Sequence, residues 1–130
     1  VIQQTKGERM ITIERFSEIL DELSCELPQE FFDELNLGIS IVDEAHLHPQ
    51  AREDDLYILG EYERSQMGCG IAIFYGSFEK LHGDLDEEAL KIELRSTLRH
   101  EFRHHMEYRA GERGLEVQDE EDLKKYLYDE

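Results

Sequence analysis

Between Leu90 and Met106 an apolar side chain returns every four residues, as Leu90, Leu94, Leu98, Phe102 and Met106. That spacing predicts one long helix with a narrow apolar stripe, and such a helix must bury its stripe against a partner, here a sheet. Asp84 or Asp86 is placed to cap its start, and Gly111 and Gly114 to break it. By helical angle Glu93, Thr97, His100 and His104 fall on the flank beside the stripe, with Glu101 between the two faces. Packing the stripe on a sheet therefore leaves two histidines at the lip of a cleft.

Those histidines belong to a His-Glu-x-x-His pattern, His100-Glu101-Phe102-Arg103-His104. Residues four apart on a helix share a face, so His100 and His104 can offer two imidazole nitrogens to one metal ion. Glu101, about 100° round from His100, can reach a water on that ion without being a ligand. Zinc acidifies such a water and a carboxylate takes its proton as it attacks a carbonyl, which is the chemistry of a metallopeptidase. The bland alternative is a solvated helix face that carries two histidines by composition, in a chain with 6 His and many Glu. The helical setting and the flanking apolar residues favour the metal.

Catalytic zinc takes three protein ligands and keeps one position open. No histidine follows His105, so the third ligand is expected to be a carboxylate. Glu107 shares the histidine face but lies on the same rod. A ligand arriving after the glycine turn suits tetrahedral geometry better, so Asp119 is preferred, with Glu116 and Glu112 behind it. His105 cannot replace either motif histidine without rotating the helix, and is read as packing or support for the ligands.

The rest of the chain supplies a partner for that helix. Ile13, Phe16, Leu20, Leu23 and Leu27 mark an amphipathic helix, with Thr12 as N-cap and Pro28 as stop. A short helix is expected over 29–35, with Gly38 just past its end, then a strand over 39–42. Residues 46–55 read as a polar loop. His46 and His48 there are read as exposed loop histidines, metal binding being the alternative. Residues 56–60 and 71–76 are the clearest strands, joined across 61–70 by a longish hairpin loop. Ser77 to His82 adds a helical turn, and a last helix is expected after Asp119. Cys69 reads as a small packed residue, and Arg95, Arg99 and Arg103 as a basic stripe paired with surface carboxylates.

The fold class is therefore α+β: a sheet of about three strands against the long helix, with N- and C-terminal helices. Met10 resembles a natural start, so 1–9 is expected to be an extension or remnant and 10–130 one domain. With 32 acidic and 14 basic residues the formal charge is −18, which argues against nucleic acid and anionic membrane surfaces as partners. No apolar run approaches a membrane span. Two cysteines without a C-x-x-C partner make no disulfide framework and point to the cytoplasm. The sequence is silent on oligomeric state.

From Met10 onward the chain resembles the small bacterial zincin-like metallopeptidases. The likeness rests on Ile13-Glu14-Arg15-Phe16, on the strands 56–60 and 71–76, and on His100-Glu101-Phe102-Arg103-His104-His105 with its doubled histidine. It implies a zincin-like α+β fold, zinc held by His100 and His104, Glu101 as general base and a peptide or protein as substrate. Members often carry a short Phe-Gly turn after the doubled histidine, then an Asp as presumptive third ligand. Here Met106 to Glu116 spans a longer insertion. Two functions follow as expectations: a zinc-dependent peptidase, or a non-catalytic zincin-like binding module that meets a basic protein through its acidic surface. Nucleic-acid binding through the arginine stripe is a distant third.

Overall fold

The stripe from Leu90 to Met106 is buried as its spacing predicts, all five side chains lying in the core. They sit on α3 (Glu87–Arg113), a 27-residue helix in the computed structural model, which describes residues 10–49 and 56–113. At 1.5 Å per residue this helix is about 40 Å long. Asp86 is its cap, its Oδ1 accepting from the Ala89 amide at 2.8 Å. The expected break at Gly111 does not occur: the helix runs through it. A Cβ there would meet nothing within 4 Å, so the position is open and a solvent-facing glycine costs only about 1 kcal/mol of propensity.

α1 (Ile13–Ser24) begins at Thr12, whose side chain accepts from the Arg15 amide. Its apolar face, with Phe16, Ile19, Leu20 and Leu23 buried, packs beside α3. Two forked ion pairs, Arg15 with Glu87 and Arg95 with Glu26, tie the outer edges of the two helices together. After Pro28 the chain makes a single 3-10 turn (Gln29–Phe32) where a helix to Leu35 is expected; Phe31 and Leu35 still reach the core.

Five strands follow: β1 (Gly38–Val42), β2 (His46–Leu47), β3 (Tyr57–Ile58), β4 (Gly60–Ser65) and β5 (Gly68–Phe74). β1, β5 and β4 form a mixed sheet in that order, β1 parallel and β4 antiparallel to β5, while β2 and β3 make a separate two-stranded ribbon. β5 is central and buried along most of its length; β4 is an edge. The expected long loop over 61–70 is instead β4 and a tight turn, with Ser65 paired to Gly68. Gly68 takes φ +131 there, a conformation that side-chain-bearing residues rarely adopt. Part of the expected loop over 46–55 is β2, and the helical turn after β5 is α2 (Tyr75–His82).

The described residues thus form a small α+β fold with a mixed three-stranded sheet, a two-stranded ribbon and three helices. The zincin-like form expected of it is corrected. No group of three or more His, Cys, Asp or Glu side chains that could hold a metal occurs among the described residues. The expected C-terminal helix lies outside them. No helix among them is long and apolar enough to cross a membrane.

Candidate functional site

α3 packs its stripe on the sheet and lays its other flank against the edge strand β4. Between them opens a cavity of about 710 Å³, walled by Gly60, Tyr62 and Arg64 of β4, by His100, Glu101 and His104 of α3, and by His48 beyond β2. A second hollow of about 360 Å³ adjoins it and shares Gly60, His100 and Glu101. The motif therefore stands where two hollows meet along one sheet edge.

His100 and His104 are exposed and converge, with Nε2 atoms 3.2 Å apart and ring centroids 4.8 Å apart. Two nitrogens bound tetrahedrally to one zinc at roughly 2.0–2.1 Å lie about 3.3–3.4 Å apart. The pair fits two ligand positions of such an ion. A third protein donor is a different matter. Asp119 and Glu116 lie outside the described residues, as does the side chain of Glu112. Glu107 lines the cavity, but with the two histidines it does not form a metal-holding group of three.

Glu101 is the one buried carboxylate among the described residues, only 5 % exposed. Burial, then the neighbouring charge of Glu61, pushes its pKa up to about 7; Arg103 and the Tyr62 amide, which donates to it, pull the other way. A carboxylate poised there can both take and return a proton near neutrality. Gly60 leaves it room: a Cβ at that position would lie 2.9 Å from Thr97 Cγ2 and 3.3 Å from Glu101 Cγ.

His105 is fully buried and faces away from the cleft wall that holds its neighbours. Its Nε2 lies 2.8 Å from the Asp33 carbonyl, which can only accept, so that nitrogen carries the proton. Nδ1 then accepts from the Tyr62 hydroxyl at 2.6 Å. Burial holds His105 below the usual histidine pKa, as a neutral ring. Tyr62 is consequently fixed at both ends, its hydroxyl by His105 and its amide by Glu101. The phenol pKa is raised by burial and by its bond with Cys69.

The two loop histidines part company. His46 meets Phe74 edge to face, centroids 4.8 Å apart, and its amide donates to the buried Ser77 hydroxyl. His48 is half-buried and reaches the cavity, its amide tied to the Leu56 carbonyl at 2.8 Å. Sequence spacing carried no sign of that, because a two-residue ribbon folds it in from 52 positions away. Of the arginine stripe, Arg95 and Arg99 pair with Glu26 as expected. Arg103 meets His100 Nδ1 at 2.5 Å.

No family model matches the sequence, and no curated protein does. Among solved structures, a conserved hypothetical protein (TTHA0227) from Thermus thermophilus is similar in both sequence and fold. It is 32% identical, with a TM-score of 0.69, over 78% of this chain and 99% of that one. Likeness at that level over essentially the whole of the other chain means that the protein belongs to the family of this Thermus thermophilus protein.

Proposed function

We propose that the protein is a zinc-dependent peptidase whose ligands include His100 and His104 and whose general base is Glu101. The observation that carries the reading is the convergence of two Nε2 atoms 3.2 Å apart on the rim of a cavity, beside a buried carboxylate with its pKa near 7. When bound, zinc supplies a Lewis acid and an acidified water. Glu101 takes the proton of the attacking water and returns it to the departing amine. Its carboxylate is held for this by the Tyr62 amide and by the space over Gly60. An extended peptide would add to the open edge of β4, with hollows on either side of Glu101 for its side chains. Asp119 remains the preferred third ligand. Cysteine usage favours the cytoplasm as the compartment, and net charge disfavours nucleic acid and anionic membranes.

The test pairs metal content of purified protein with cleavage of a peptide library by wild type and Glu101→Gln. Zinc retained and cleavage lost in the variant is the expected outcome. Equal cleavage by both would remove Glu101 as base.

A second reading has its own support. With two motif donors and no third among the described residues, and a charge of −18, the domain could instead bind a basic protein without catalysis. Melting that is indifferent to a chelator, with a partner captured at low salt and released at high salt, would favour it.

A further inference from the structure

Resting on the peptide part of the reading above and on no metal, we propose that Arg64 is a carboxylate-recognition residue. Held over Tyr108, it selects peptides that carry a carboxylate two residues along from the residue opposite Tyr62. The chain has a formal charge of −18, and its cations are mostly taken: Arg15, Lys91, Arg95, Arg99 and Arg109 each hold a glutamate. Arg64 walls the cavity yet makes no ion pair among the described residues. Its guanidinium carbon stands instead 4.5 Å from the centroid of the Tyr108 ring. A cation over a ring face is held there without using its N–H groups. The planar fork of donors that fits a carboxylate is therefore left for a ligand.

Strand register sets where that ligand group must lie. The Phe74 amide donates to the Leu59 carbonyl, so alternation along the antiparallel pair turns the N–H and C=O of Gly60, Tyr62 and Arg64 to the open edge of β4. Tyr62 gives its amide to Glu101. A peptide strand added to this edge advances two residues in roughly 7 Å, which is the step from Tyr62 to Arg64. Glu61, Glu101 and Glu107 also wall the cavity and disfavour an anion elsewhere in it. Arg64 offsets that repulsion at its own end, so the site reads the position of a carboxylate and not acidity in general. A peptide C-terminus and an acidic side chain both supply the group.

Peptide titrations of the full chain, dialysed free of metal and followed by NMR at fixed pH and salt, test this. The probes are N-acetyl tetra-alanine as free acid and as amide, and amidated N-acetyl-Ala-Ala-Glu-Ala with its Gln counterpart. Wild type should bind the acidic member of at least one pair roughly tenfold more tightly than its neutral twin. Tightening confined to the first pair assigns the group to the C-terminus, and to the second pair, to a side chain. Arg64→Gln should cut the preference to less than about twofold while leaving the neutral peptides unchanged. Arg64→Lys, which keeps the charge without the fork, should retain only part of it, and so should Tyr108→Leu. Lys80→Gln removes an equal charge outside the cavity and should retain it all. Acidic and neutral peptides bound alike by wild type would overturn the proposal. So would a preference that survives Arg64→Gln, or one lost equally in Lys80→Gln, which is net charge alone. No binding of any probe would overturn the peptide reading on which the proposal stands, and the proposal with it.

Discussion

Glu101 is asked to be ionised in a place that favours its neutral form. Its ordinary pKa of 4.5 rises to about 7 in the folded protein. Between those values the folded state keeps a proton that the unfolded state has released, so this group makes stability fall as pH rises from about 4.5 to 7. A shift of that size corresponds to at most about 3 kcal/mol above neutrality. Metal-free Glu101→Gln should therefore match wild type near pH 4 and exceed it by about 1–3 kcal/mol at pH 8, read from urea unfolding at both values. A constant difference at the two pH values would mean the carboxylate is not desolvated. His105 acts in the opposite direction. Kept neutral by burial, it makes stability fall as pH drops below its ordinary 6.5, because the unfolded chain then binds a proton the folded one refuses. Its two hydrogen bonds make His105→Ala costly, by roughly 2–4 kcal/mol, since the Tyr62 hydroxyl and the Asp33 carbonyl both lose a buried partner. A loss under 1 kcal/mol in denaturant unfolding would argue against that bridge.

At the scale of elements, β4 passes close against Thr97 and Glu101 of α3 at Gly60. Adding a methyl there presses on Thr97 Cγ2 and the stem of Glu101. Gly60→Ala should cost about 1–3 kcal/mol by overpacking. Thr97→Ser, which removes that Cγ2, should restore most of it in the double variant; additive losses in thermal melting would show that the two positions do not touch. The same pair of elements shows what sequence could and could not convey. α1 and α3 were legible because each keeps one apolar face at helical spacing, and the helical spacing of His100 and His104 survives in three dimensions. β4 was not, because an edge strand meets the core along one side only. Glu61, Glu63, Arg64 and Ser65 give it the look of a loop, and only the half-buried Tyr62 betrays it. His48 and Arg103 enter the site through the ribbon's fold and a rotamer, neither of which leaves a periodic trace. The preferred third ligand, Asp119, lies outside the described residues; those described hold no metal-binding group of three, and the zincin-like fold name is corrected accordingly.

For the whole molecule, a ligand that binds only the folded state stabilises by mass action, and zinc at a hundred times its dissociation constant contributes about 2.7 kcal/mol. Chelation should then lower the melting temperature by roughly 10 °C in a chain of this size. Restoring zinc should recover it. The surrounding charge of −18 helps concentrate cations at the cleft, so zinc association should slow as salt is raised. The most direct measurement is a zinc titration of wild type, His100→Ala, His104→Ala and Glu101→Gln, followed by elemental analysis of each after dialysis. The account predicts one zinc per chain in wild type and Glu101→Gln, and loss of at least a hundredfold in affinity when either imidazole is removed. Zinc held equally well without His100 or His104, or by none of the four proteins, would contradict it.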